Sequence, residues 1–213
     1  MTSEPTSEVV DLLRRDILAG VFAPGERLVE LQLTRRYECG RAPIRAALVE
    51  LASEGLIDRE ANRGATVRRI TVADVIEITE ARAALESLAA GHAATRATDD
   101  ERAELRQIIS EMEAAVARDD AVGYSALNGR LHRLIHTASH HRVATELVAN
   151  LRNRASHHHY QLALMPGRPA ESLPQHAVIV EAIVAGDQAA AQAAMFAHLS
   201  SVIGVLERWQ AMD

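Results

Sequence analysis

The chain has 213 residues, 48% hydrophobic and 24% charged, the proportions of a packed globule of one large or two small domains. Aromatics are only 3% and the net charge is −6, so the core must come from Leu, Ile, Val and Ala, which favours helix on helix over an aromatic-rich β-sandwich. A polar N-terminus, no apolar run approaching ~20 residues and a lone cysteine, Cys39, are the expectations for a cytoplasmic protein with no signal peptide, membrane span or internal disulfide.

The first elements are short and sharply punctuated. Ser7 caps a predicted helix to about Ala19, with Val9, Leu12, Leu13 and Ile17 on its apolar face and Gly20 at its end. Pro24-Gly25 marks a turn. A second helix covers about Val29 to Tyr37 and stops at Cys39-Gly40. A third opens at Ala42-Pro43, where proline is tolerated, and runs to Glu54 with Ile44, Leu48 and Leu51 inward. Two short strands follow, Leu56 to Glu60 and Ala65 to Arg68, joined by the turn Asn62-Arg63-Gly64. Three helices and a hairpin make a winged helix-turn-helix.

Beyond residue 70 no strand pattern is present. Thr71 to Asp74 and Thr98 to Glu101 fit the capping box and start helices at about 72–95 and 99–118. Asp119-Asp120 opens a third, to about Ser139, and a fourth runs from about Arg142 to Leu164. Pro166-Gly167-Arg168-Pro169 reads as a loop. A fifth helix covers about Leu173 to Ala185, and Gly186-Asp187 divides it from a sixth ending near Gln210. Six such helices predict an all-α bundle. The fold class is therefore mainly α, a winged helix-turn-helix in residues 1–70 followed by a six-helix bundle in 71–213.

Charge supports that division. All 23 basic residues are arginine; residues 1–70 hold 11 of them against 11 acids, and residues 71–213 hold 12 against 18. All ten histidines lie beyond residue 90. Arg35, Arg36, Arg41 and Arg45 stand close together with one acid, Glu38, among them, a locally basic element on an acidic protein. Arg41 and Arg45 are four residues apart and share a face at the start of the third helix, where a helix-turn-helix enters the major groove. Arginine there bonds guanine or phosphate. A solvated arginine pair is the ordinary alternative; the preceding short helix and the Arg63-Gly64 wing tip favour DNA.

These features, from Ile17 through Gly25, Gly40-Arg41-Ala42-Pro43-Ile44-Arg45, Glu54-Gly55-Leu56 and Arg63-Gly64, resemble the GntR family of bacterial transcription regulators. Its usual recognition block reads serine-arginine-threonine-proline-valine-arginine, so both arginines and the proline match, while Gly40 and Ala42 replace the hydroxyl residues. The resemblance implies DNA contact by Arg41 and Arg45, assisted by Arg35, Arg36, Arg63 and the wing glycine Gly64.

In the second region, His176 lies about ten residues before the Gly186-Asp187 turn and His198 about eleven after it. An antiparallel pair rising ~1.5 Å per residue brings both to nearly one height. His132 sits a turn after Asn128 on another helix. Imidazoles converging with an oxygen donor suit zinc, nickel, manganese or iron; a structural or exposed role is the ordinary reading of any one histidine. His132 with His136, also four apart, is a rival pair. His157-His158-His159 fan round a helix and cannot share one ion.

Gln175-His176, Ile179, Glu181-Ala182-Ile183, Gly186-Asp187, Met195 and His198-Leu199, with Glu80-Ala81-Arg82 and Leu85-Glu86, resemble the FCD effector domain of the family's FadR/VanR branch. That domain usually binds a divalent metal through Asp-x-x-x-His and two later histidines. The matching positions are Asn128, His132, His176 and His198, with Asn in place of Asp. The resemblance implies a homodimeric regulator, a repressor, that binds palindromic double-stranded DNA and answers to a small organic acid on the metal. Arg82 is the candidate carboxylate clamp, or else an intrahelical partner of Glu86. Two other readings stay open: a metal-dependent helical enzyme acting on a small organic acid, and a metal-free bundle that only dimerises.

Overall fold

The computed structural model describes residues 4–60, 64–155, 162 and 165–211. The chain divides into two compact units, Met1–Thr71 with Asn153–His157, and Val72–Arg152 with His158–Asp213.

In the first unit, α1 (Glu4–Leu18), β1 (Arg27–Leu28), α2 (Glu30–Arg36), α3 (Arg41–Ser53), β2 (Ile57–Glu60) and β3 (Gly64–Val67) follow in order. Ser7 lies inside α1, so the helix begins earlier than the sequence suggests. Val9, Val10, Leu13 and Ile17 of α1 pack with Leu33 of α2 and with Ile44, Leu48 and Leu51 of α3 in one buried cluster. Leu28, Ile57, Ala65 and Val67 close that cluster from the sheet. The Arg14 guanidinium adds a forked ion pair, its Nε and Nη2 donating to Glu54 at 2.9 and 2.6 Å, so α1 is tied to the end of α3. The sheet runs β1-β3-β2, all antiparallel. Strand β1 is an addition to the predicted hairpin: Arg27 pairs with Thr66 and Leu28 with Ala65, two residues being too few for an alternating pattern to announce. The residues Ala61 to Arg63, and with them most of the predicted wing turn, lie outside the described residues.

The second unit contains six helices among the described residues: α4 (Val72–Arg96), α5 (Asp99–Ala117), α6 (Ala121–Ala138), α7 (Arg142–Arg154), α8 (Arg168–Ala185) and α9 (Gln188–Gln210). Their starts are chemically explicit. Thr98 and Glu101 form a reciprocal capping box. Asp120 accepts from the Gly123 N–H and Asp187 from the Ala190 N–H. Gly186 takes φ 76°, the left-handed conformation that ends α8 and turns the chain into α9. Arg102 of α5 donates to the carbonyls of Ala94, Ile183 and Val184 at 2.9–3.0 Å, so one guanidinium satisfies orphan acceptors near the ends of α4 and α8.

One expectation changes here. The stretch from Arg168 is helix, not loop, because Pro169 occupies the first turn, where a missing N–H costs nothing. The predicted fourth helix is described only as far as Arg154, and residues 156–161 and 163–164, including His157-His158-His159, lie outside the described residues. The expectation about apolar runs is also corrected: α9 spans 23 residues at a mean hydropathy of 1.5, long and apolar enough by those measures to cross a bilayer. Its buried stripe of Ala191, Met195, His198, Leu199, Val202 and Leu206, laid chiefly against α4, makes it a core helix.

Candidate functional site

In the first unit, the start of α3 presents a cationic face. Ile44, Ala47, Leu48 and Leu51 are buried, which turns Arg41 and Arg45 outward on the opposite side of the same helix. Arg41 is exposed at the first residue of α3 and forms no ion pair among the described residues. Arg45 is exposed as well, with its Nε donating to Glu30 at 3.0 Å. Arg35 is exposed near the end of α2. Arg36 is held differently. Its guanidinium pairs with Asp16 at 3.2 Å and lies 5.1 Å from the Phe22 ring centroid, so it clamps α2 to α1. Burial pushes the Asp16 carboxyl up, but the Tyr37 hydroxyl, Arg15 and Arg36 together hold it below its ordinary value. Gly64 opens β3 with φ +95° and is exposed. Arg63 lies outside the described residues.

In the second unit, α6, α8 and α9 bring three buried histidines together. Ring nitrogens of His132, His176 and His198 lie within 4.8 Å of one another. Their centroids are 4.4 Å apart for His176 and His198, and 5.5 and 5.4 Å from His132 to those two. The hydrogen bonds behind each ring fix its tautomer. His132 Nδ1 is 2.8 Å from Glu86 Oε2; an ionised carboxylate only accepts, so Nδ1 carries the proton. His198 Nδ1 is 2.8 Å from Gln175 Oε1, while the Gln175 amide donates to Ser201, so this Nδ1 is also the donor. His176 Nδ1 meets the Tyr124 hydroxyl at 3.1 Å. Ser172 donates to the Arg168 carbonyl, so it accepts from Tyr124, and Tyr124 in turn accepts from His176. All three rings thus leave Nε2 as a bare lone pair.

The electrostatics keep those lone pairs available. Burial pushes His132 down to about 4 despite the opposing pull of Glu86. Burial also holds His176 and His198 well below the usual histidine range, helped for both by His132 and by Arg168. Among the described residues, four buried side-chain atoms have no hydrogen-bond partner, and two of them are His176 Nε2 and Asn128 Oδ1. Both line one cavity of about 60 Å³, together with the other two histidines. An unpartnered buried lone pair is costly, and a neutral imidazole set with an amide oxygen is a donor set for a borderline divalent cation. The residues present therefore fit a metal ion.

The rival pair is accounted for otherwise. Glu86, His132 and His136 also converge, but His132 Nδ1 and His136 Nε2 both bond Glu86 Oε2, at 2.8 and 2.9 Å. Arg82 donates to Glu86 Oε1 at 2.7 Å through both Nε and Nη2. Burial alone would raise the Glu86 carboxyl; Arg82 and the two histidines hold it well below its ordinary value. This group orients His132 from behind, as outer-shell carboxylates do in metal sites. Arg82 accordingly has the intrahelical partner weighed for it, although it also borders the cavity.

Three cavity residues carried no sequence signal strong enough to single them out. Tyr124 is four residues before Asn128 on α6, so extending the Asn128/His132 stripe backward by one turn reaches it. Arg168 was hidden in an apparent loop. Arg152 of α7 lines the cavity too; burial lowers it to about 10, and it has no ion pair among the described residues.

A winged helix-turn-helix with an outward arginine pair, followed in sequence by a helical unit built round a polar cavity, defines a DNA-binding regulator as a class. The chain belongs to the GntR family of bacterial regulatory proteins, whose family model matches residues 5–67, and carries an FCD domain matched at residues 77–201. It is a DNA-binding transcription regulator, and the helical-enzyme alternative falls with that assignment. The HTH-type transcriptional repressor RspR of Escherichia coli (strain K12) is 28% identical over 201 residues, 94% of this chain and 88% of that one. The uncharacterized HTH-type transcriptional regulator YdhC of Bacillus subtilis (strain 168) is 30% identical over 190 residues, 88% of this chain and 84% of that one. Among solved structures, E. coli McbR/YncC has a TM-score of 0.79 at 22% identity, covering 99% of this chain and 100% of that one, a likeness of fold.

Proposed function

We propose that this regulator is a cytoplasmic repressor that binds a palindromic operator as a homodimer and is released by a small organic acid. In this reading residues 1–70 bind DNA, and residues 71–213 form the effector-binding and dimerising domain. Arg41 and Arg45 read the major groove, with Arg35 and the wing residues Arg63 and Gly64 on the backbone; Arg36 contributes by fixing α2. A two-fold protein reading two half-sites is the common geometry of this motif, and the repressor name of RspR supports the sign of the regulation.

The observation that carries the sensory half is the pair of orphaned buried atoms, Asn128 Oδ1 and His176 Nε2, beside two further histidines whose Nδ1 protons are committed elsewhere. Asn128, His132, His176 and His198 would hold a divalent zinc, nickel, manganese or iron ion. Such an ion supplies a Lewis-acidic anchor for a carboxylate. Glu86, Tyr124 and Gln175 orient the three rings, and the cavity arginines attract the anion. Binding acts on DNA affinity only if the acid prefers one arrangement of the protein over another.

The test is the double variant His176→Ala/His198→Ala. Metal content by atomic emission, thermal stabilisation by organic acids and operator release in a gel shift should all be lost together, while operator binding without acid persists. A double variant that keeps its metal and its response would refute the site.

A further inference from the structure

The cavity has an unusual charge balance. Among its described lining residues there is no Asp or Glu, and there are three arginines, Arg82, Arg152 and Arg168. Glu86 neutralises Arg82. Arg168 pairs with Glu171 at 3.2 Å, but that carboxylate is half-exposed and outside the lining. Arg152 has no ion pair among the described residues. The four candidate donors, Asn128 and three neutral histidines, contribute no negative charge. A divalent cation entering this site therefore adds two positive charges to a cavity that is already cationic, with no anionic donor to offset them.

From this balance we propose that the sensory cavity takes its metal and its effector as an obligate pair, and that the effector is a small dianion, a short dicarboxylate. One carboxylate completes the metal's coordination, and the other is held by Arg152 with Arg168. The inference rests on the metal reading above. The cavity is small, about 60 Å³, so the acid is among the shortest dicarboxylates. Arg152 suits the second carboxylate because its planar fork can bond both oxygens. Coupling between two ligands is reciprocal: the acid must strengthen metal binding by the same factor as the metal strengthens acid binding. Asn128 is the residue that sets the dependence, since an anionic donor there would partly neutralise the ion without the acid.

The experiment is isothermal titration calorimetry on the metal-stripped full chain, with zinc as the metal and malonate or acetate as the acid. Saturating malonate should lower the zinc Kd at least tenfold, acetate by less than threefold, and zinc should lower the malonate Kd by the malonate factor. Malonate also chelates free zinc weakly, which opposes the expected effect and cannot imitate it. Asn128→Asp should bind zinc tightly without acid and reduce the malonate factor below threefold. Arg152→Gln should reduce malonate's effect to that of acetate, while zinc binding in acetate is kept or strengthened, because one cavity cation is gone. Tight zinc binding independent of malonate, or acetate matching malonate in the unaltered chain, overturns the paired-dianion proposal and leaves the metal site standing. Zinc binding that is absent under every condition, or retained in His176→Ala/His198→Ala, overturns the metal reading and the proposal together.

Discussion

Three neutral histidines sealed in one core make the stability of the metal-free protein steeply dependent on pH. In the unfolded chain each titrates near 6.5. In the native state burial holds His132 down at about 4 and keeps His176 and His198 well below the ordinary range. Above 6.5 both states are neutral and the full stability is present. As pH falls below 6.5 the unfolded chain binds protons that the native core refuses, so stability is lost progressively through the window from 6.5 toward 4. At pH 5 the loss from His132 alone is about 2 kcal/mol, and His176 and His198 add to it in the same direction, against a typical total of roughly 5–15 kcal/mol. Urea denaturation of the chelator-treated protein, followed by circular dichroism at pH 7.5 and 5.0, measures it. His198→Gln should make the pH effect smaller, because one depressed imidazole is removed. A difference below ~2 kcal/mol between the two pH values in the unaltered protein would refute the reasoning, because the rings would then be protonated or open to water in the native state.

Three further outcomes follow from single contacts. Arg41→Ala should weaken operator binding by about 1–3 kcal/mol if the residue reads a base, and fluorescence anisotropy of Arg41→Ala/Arg45→Ala equal to that of the parent would contradict the recognition face. Glu86→Gln replaces the carboxylate of the buried network with Arg82, His132 and His136 by a neutral amide, a loss of roughly 3–5 kcal/mol; for a chain of this size that is a fall in Tm of roughly 6–20 °C by scanning calorimetry, and a shift under ~3 °C would show that the network carries no such charge. Gly64 sits at φ +95° with Arg27 no closer than 3.7 Å to an added Cβ, so Gly64→Ala should cost about 1 kcal/mol by backbone conformation alone, read in urea melts; no change would mean the wing relaxes out of the left-handed region.

Much of the architecture is written in local sequence. Capping chemistry at Thr98, Asp120 and Asp187, the left-handed stop at Gly186 and the inward stripe Ile44/Leu48/Leu51 each act within one or two helical turns, and such signals are legible because the interacting atoms are near neighbours in the chain. The spacing of His176 and His198 about a shared turn belongs to the same kind, since helical rise converts residue number into height. Signals that span the fold were not available. Strand β1 exists only because β3 offers Arg27 and Leu28 a pairing edge. Arg168 opens a helix where its prolines read as a loop. Arg36 became a clamp once folding set Asp16 and Phe22 beside it, and Arg82 was settled on Glu86 by a network that also draws in His132 and His136 from another helix. Sequence determined the helices and the identity of the histidine donors through local backbone geometry. Tertiary packing alone decided which nitrogens keep their lone pairs, because tautomer, burial and charge balance depend on side chains brought together from α4, α6, α8 and α9.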